Sequence, residues 1–175
     1  MRPKDFAECV SGLIAGDFSR LAPLFEAAPD GGACQIMRWY EAGLFQGEPK
    51  ALAEAFSCAC FNGFVSVVEY FLDQGLDPNG GANTGMNAFH WAADRGQLEV
   101  VNILIQHQAA LETRNMYGGT VLDGTVWSAL HERRPNHVKI IEALLTAGAR
   151  VDAVAYPSGD SKVDEVLGRF GAGRN

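Results

Sequence analysis

No stretch of this chain approaches the roughly 18 consecutive apolar residues of a membrane-spanning helix. Positive charge is also scarce. Lys and Arg number 14 against 21 Asp and Glu, for a formal net charge of −7 and a pI near 5.0. A nucleic-acid module needs a basic face to neutralise phosphates. The densest basic group here is Arg133-Arg134, beside Glu132, so nucleic acid is disfavoured as a partner. Cysteines number four: Cys9, Cys34, Cys58 and Cys60. At 175 residues the chain can bury a core without a disulfide framework, and these thiols, set in apolar helical stretches, read as reduced packing residues. The opening Met1-Arg2-Pro3-Lys4-Asp5 leads into no unbroken apolar segment, because Glu8, Ser11 and Asp17 interrupt it. A soluble cytoplasmic protein is the expectation.

Motifs that carry chemistry are missing as well. His131 and His137 lie six residues apart with Pro135 between them, whereas a zinc-protease helix needs two histidines at i, i+4. Cys58 and Cys60 have the wrong spacing for a zinc knuckle, and on a helix they point about 200° apart. The glycine pairs Gly80-Gly81 and Gly118-Gly119 do not run into the Gly-Lys-Ser/Thr of a phosphate loop. No catalytic residue, metal or cofactor is expected.

What the sequence does have is repetition. Phe61-Asn62-Gly63-Phe64-Val65-Ser66-Val67-Val68 returns 33 positions later as Asp94-Arg95-Gly96-Gln97-Leu98-Glu99-Val100-Val101. A third copy of the second half, starting at Val138-Lys139-Ile140-Ile141, is displaced by 40, so seven residues have been inserted between Leu122 and His137. Ala92-Ala93 allow close helix approach, Gly96 permits a turn, and Val100, Val101 and Leu104 line one face for burial. Segments rich in Gly, Asn and Asp follow each helical pair.

Gly85-Met86-Asn87-Ala88-Phe89-His90-Trp91-Ala92-Ala93-Asp94-Arg95-Gly96 resembles the signature of the ankyrin repeat family, whose unit is about 33 residues. The resemblance is strong over 51–152 and weaker on either side. Ala88 replaces the family proline, Asn87 the threonine, Gln108 the helix-ending glycine, and Asp123 stands where the next histidine belongs. It implies an all-α solenoid of stacked antiparallel helix pairs with short β-hairpin finger loops. The whole chain, 1–175, then forms one domain: a degenerate N-terminal repeat or cap over 1–50, repeats over 51–83, 84–116 and 117–155, the last with the insertion, and a capping helix over 156–175. Two registers compete in the first unit. One lays Ala22-Pro23-Leu24-Phe25 on the signature, with a second helix from Ile36 to Gly43. The other makes Gly16-Asp17 the interhelix turn, with a second helix from Ser19 to Ala28. The first is preferred, because proline inside a helix costs about 3 kcal/mol but is tolerated in the first turn. Ser161 to Phe170 is expected to close the stack, with Val163, Val166 and Leu167 buried and 171–175 frayed.

The resemblance further implies a concave face of fingers and first-helix ends that holds a protein partner. Carried over by position, its slots are Phe61 and Asn62; Asn83, Thr84, Met86, Asp94 and Arg95; and Arg114, Met116, Tyr117 and Gly119. Met116, Tyr117 and Phe61 are expected to face solvent, Trp91 to be partly buried, and Trp127 to lie in the core of a lengthened first helix. Arg133 and Arg134, in the insertion, are given a surface role. His90 is assigned to tying the finger to the helix start, with Gly63, Gly96 and Gly118 as turn residues. The function expected is a non-catalytic protein–protein interaction module, monomeric, with self-association open. The alternatives are an inhibitor or immunity-like protein that occludes a partner's site, and a small hydrolase or metal-dependent enzyme using His90 and His131.

Overall fold

The 33-residue step becomes a repeated pair of helices in the computed structural model, which describes residues 4–29 and 31–173. The elements are α1 (Lys4–Ala15), α2 (Phe18–Leu21), a 3-10 turn (Ala22–Phe25), α3 (Gln35–Glu41), α4 (Pro49–Asn62) and α5 (Val65–Asp73). Then follow α6 (Ala88–Asp94), α7 (Leu98–Gln106), α8 (Val121–His131), α9 (His137–Thr146), a second 3-10 turn (Val151–Ala153) and α10 (Ser161–Arg169). The first helices α1, α4, α6 and α8 pack in one row, and α5, α7 and α9 in a second. Tyr40 of α3 extends the second row by meeting Tyr70 and Phe71 of α5 edge-on, at 5.9 and 5.6 Å between ring centres. A helical repeat solenoid results, each unit resting on its neighbours.

Local chemistry sets these boundaries. Asn87 caps α6 by accepting the His90 amide, and Thr120 caps α8 by accepting that of Asp123, which satisfies amides that a helix start leaves unpaired. The turn glycines end the first helices: Gly63 and Gly96 hold φ of 78° and 76°. The amide after each glycine reaches back into the helix, Phe64 to the Ala59 carbonyl and Gln97 to that of Ala92. Small side chains keep the first row tight, with Ala51, Ala55, Ala59, Ala88, Ala92 and Ala93 all buried. Val100, Val101 and Leu104 of α7 and Ile140, Ile141 and Leu144 of α9 fill the space between the rows, each such side chain contributing about 1.5–3 kcal/mol by leaving water. The four cysteines are free and buried. Burial pushes the Cys9 thiol up to about 12 and raises those of Cys58 and Cys60, which keeps them protonated packing groups rather than nucleophiles.

The first unit requires a correction. Ala22-Pro23-Leu24-Phe25 forms only a single 3-10 turn, and the helix stacked on α4 is α1. Gly16-Asp17 is the interhelix turn: the Asp17 amide bonds to the Gly12 carbonyl in the pattern seen at Gly63 and Gly96. The rival register is not realised whole either: its second helix from Ser19 to Ala28 does not form, because α2 stops at Leu21 and Pro23 lies in a new, tighter turn. The helix expected from Ile36 is present as α3, on the second row. Asp30, inside the segment laid on the signature, lies outside the described residues, as do Met1, Arg2 and Pro3.

Fingers join the units. Among the described residues none reaches strand length, but the finger ending in Thr120 keeps a hairpin bond, Asn115 N–H to the Gly119 carbonyl, and bonds to the preceding finger through Met116 N–H and the Gly85 carbonyl. Gln108, where the resemblance expects glycine, adopts φ 59°. At the far end α10 buries Val163, Val166 and Leu167 against α9. The fraying expected beyond it is not seen as far as residue 173, since the Ala172 amide bonds to the Leu167 carbonyl; Arg174 and Asn175 lie outside the described residues.

Candidate functional site

Where the finger after α7 bends over the ends of α6 and α8 it leaves a groove of about 730 Å³. Met86, Tyr117 and Gly119 form its finger side, and Asp94, Arg95, Asp123, Trp127 and Glu132 line its helix side. Tyr117 is 82% exposed, Met116 66% and Trp127 53%. Isolated exposed hydrophobics are ordinary, but Tyr117 and Trp127 line one concavity with Met116 beside them on the finger, and such a cluster is an interaction signal.

Trp127 overturns the expectation that placed it in the core. The step of 33 carries Phe61 to Asp94 and Asp94 to Trp127, so this residue occupies the first-helix-end slot of the last repeat. α8 continues a turn beyond it, to His131. The His131 ring stacks on the indole at 4.6 Å and 19°, and its Nδ1 lies 2.8 Å from the Trp127 carbonyl. This fixes the tryptophan without covering it. The same register could have found it from sequence.

The groove brings together Met86, Asp94, Arg95, Tyr117 and Gly119 of the expected slots. Arg114 and Met116 stand on the finger tip: Arg114 donates to the Gly118 carbonyl at 2.6 Å, and Met116 packs over Gly85. Gly118 turns that tip with φ 82°. The other slots have structural partners. Phe61, expected to face solvent, is instead partly buried between Phe18 and Trp91, at 5.6 and 5.3 Å between ring centres. The Arg95 guanidinium lies 4.5 Å over its face, because a ring quadrupole attracts a cation. Asn62 donates to the Phe18 carbonyl. Asn83 donates its amide to the buried Glu54 carboxylate at 2.8 Å and its side chain to the Ile14 carbonyl. Thr84 accepts from the partly buried Trp91 indole at 3.1 Å.

The two insertion arginines are not among the residues that line the groove. Arg133 pairs with Asp160 at 2.9 Å, tying the insertion to the cap of α10. Arg134 is half-buried over the Gly96 turn.

The histidines proposed for chemistry are accounted for by packing. His90 is 3% exposed, and its Nδ1 lies 2.7 Å from Asn87 Oδ1. That oxygen already accepts the His90 amide, so Nδ1 must carry the proton. Burial depresses the His90 pKa, against the opposing influence of the Gly119 and Thr113 backbone. No metal-holding group of three or more His, Cys, Asp or Glu occurs among the described residues.

His137 is fully buried and acts as a staple between repeats. Its Nδ1 accepts the Arg134 amide at 3.2 Å, and Nε2–H donates to the Asp94 carbonyl at 2.8 Å. Gln97, 40 positions earlier, makes the equivalent bond to the Phe61 carbonyl at 3.1 Å. Burial, helped by the Arg134 charge, holds the His137 pKa below its ordinary 6.5, while Asp94 and Glu132 pull the other way. Protonating Nδ1 would set a donor against the Arg134 donor. A histidine with a lowered folded pKa gives stability that is present above 6.5 and lost as the pH falls through the folded value. The buried Glu54, whose pKa is raised by burial, acts with the opposite sign. The expected result is a urea midpoint that drops on acidification below 6.5, with a shallower drop in His137→Gln, where glutamine keeps the staple but does not titrate. An equal drop in both proteins would exclude His137 as a source.

No helix among the described residues is long and apolar enough to cross a membrane. A search of curated proteins finds no match to this chain. The family model for ankyrin repeats (3 copies) matches residues 24–115 and, in a second alignment, 56–155. Such repeats are generally protein–protein interaction modules and are typically non-catalytic. With the matched stretches covering most of its length, and paired helices, glycine turns and fingers in the same register, the chain belongs to the ankyrin repeat family.

Proposed function

We propose that this protein is a non-catalytic binding module that holds a partner protein in the groove between α6, α8 and the intervening finger. The observation that carries this reading is the gathering of Met116, Tyr117 and Trp127, all strongly exposed, on one finger and the helix that follows it. Interfaces favour such side chains, because large rigid aromatics bury much area at little entropic cost. The fold alone does not fix a function; the exposed cluster adds a specific surface. The buried polar groups beneath it, Asn87, His90, Thr120 and His137, are committed to capping and stapling, which suits a rigid platform better than proton transfer. The reading places the protein in the cytoplasm as a monomer.

Replacing Met116 and Tyr117 together with alanine tests it. Both side chains stand in solvent, so the thermal midpoint should stay within about 2–4 °C of wild type, the shift expected for about 1 kcal/mol in a chain of this size. Affinity capture compared by mass spectrometry should lose a specific protein that the wild type retains. Retention of the same proteins by both forms would remove this finger from the binding surface.

A further inference from the structure

The groove's charges are as one-sided as its apolar surface is concentrated. Asp94, Asp123 and Glu132 line it, and Arg95 is the one Lys or Arg among the described lining residues. That cation is already laid over Phe61, 4.5 Å from the ring centre. Arg133 is held by Asp160, so it does not offset the carboxylates either. Asp94 Oδ1 accepts from Ser128 at 2.7 Å, which fixes this carboxylate at the end of α6. Beside these groups stand two exposed aromatic rings, Tyr117 on the finger and Trp127 on α8, the latter with the indole face that His131 does not cover. The stacked His131 presets the indole orientation, so little freedom is lost when a ligand arrives. Gly119 and Gly124 contribute no side chains to the groove lining, which leaves room for a chain in extended form.

Carboxylates next to exposed aromatic faces suit a cation carried on an apolar stem: the charge meets the carboxylates, and the stem and cation lie on the rings. We propose that the groove recognises an extended polypeptide segment through a lysine or arginine side chain, set between Trp127, Tyr117 and the carboxylates of Asp123 and Glu132. Charge complementarity selects this occupant over an acidic segment, which would place like charges together. The proposal rests on the binding-module reading above and names the chemistry of the partner.

The experiment is selection of a displayed library of random short peptides on the full chain, then titration of the enriched peptides against variants. The enriched sequences should share one Lys or Arg at a fixed position beside an apolar residue. Exchanging that residue for glutamine in the peptide should weaken binding by about tenfold or more, as should Asp123→Asn or Trp127→Ala in the protein. Affinity should also fall with added salt. Thermal melts of each variant establish that it is folded, and Glu132→Gln, at an exposed position, gives a second charge probe if Asp123→Asn melts early. Enriched peptides without a conserved cation that still depend on Trp127 would overturn the proposal and leave the groove as the binding surface. Peptides indifferent to Trp127→Ala and to the Met116/Tyr117 pair, or no enrichment at all, would overturn both.

Discussion

Replacing Phe6 with alanine is expected to lower unfolding free energy by about 3–5 kcal/mol, the range for removing a fully buried aromatic side chain. Phe6 is 0% exposed. It meets Trp39 of α3 edge-on at 5.4 Å and Phe45, in the loop before α4, at 5.0 Å. Such pairs add about 0.5–1.5 kcal/mol to what area alone gives. One side chain therefore fastens α1 to the segment that connects it with the repeats. Urea unfolding followed by circular dichroism measures the loss. A shift below about 1 kcal/mol would mean that α1 does not share the core. A separate early transition would mean that the first unit unfolds independently of the repeats.

Gly81→Ala is the second large effect, at about 2–5 kcal/mol. Gly81 has φ 78°, and a left-handed conformation costs a side-chain-bearing residue about 1–2 kcal/mol. Space is the further difficulty. A Cβ there would strike Ser57 Oγ and come within 2.7 Å of the Ala53 carbonyl oxygen in α4. Backbone cannot step aside as a flexible side chain can, so an overpacking cost of about 1–3 kcal/mol adds to the conformational one. Ser57 also donates to the Gly81 carbonyl at 3.1 Å, in the slot that His90 fills one repeat later. Gly75 is the matched comparison: its φ is 82°, but a Cβ would meet nothing within 4 Å. Gly75→Ala should therefore cost only the conformational share. Equal melting losses at the two sites would show that the finger does not sit against α4 as closely as described.

The contrast between the two ends of the chain explains what could be read from sequence. Between Phe61 and Val101 the spacing, the small residues and the turn glycines all repeat, so helix register follows from counting. Before Pro49 the count fails. The turn glycines Gly16 and Gly63 are 47 residues apart, because α2, the 3-10 turn and the stretch up to Gln35 separate Gly16 from the second-row helix α3. The preferred register found α3 as a second-row helix, but it put a first helix at Ala22-Pro23-Leu24-Phe25, where the chain makes only a 3-10 turn and leaves the place beside α4 to α1. The groove was partly legible. Met116 and Tyr117 follow from their place on the finger, whereas Trp127 was masked by its setting in a largely apolar helix. The step of 33 from Asp94 nevertheless marks it as a first-helix-end slot. Phe61 failed for the converse reason: Phe18, which covers it, comes from the irregular first unit.

The bonds from Gln97 and His137 to the preceding repeat have a consequence for how the molecule comes apart. Each donor sits at the start of one second helix, and each acceptor is a carbonyl at the end of the previous unit's first helix. Melting a single unit would therefore strand a carbonyl on its neighbour as well as bare an apolar interface. Nearest-neighbour coupling of this kind makes the boundary between folded and unfolded repeats the most unfavourable place in the chain. The array should thus lose its structure as one cooperative block, with the groove, which spans such a boundary, surviving as long as the block does.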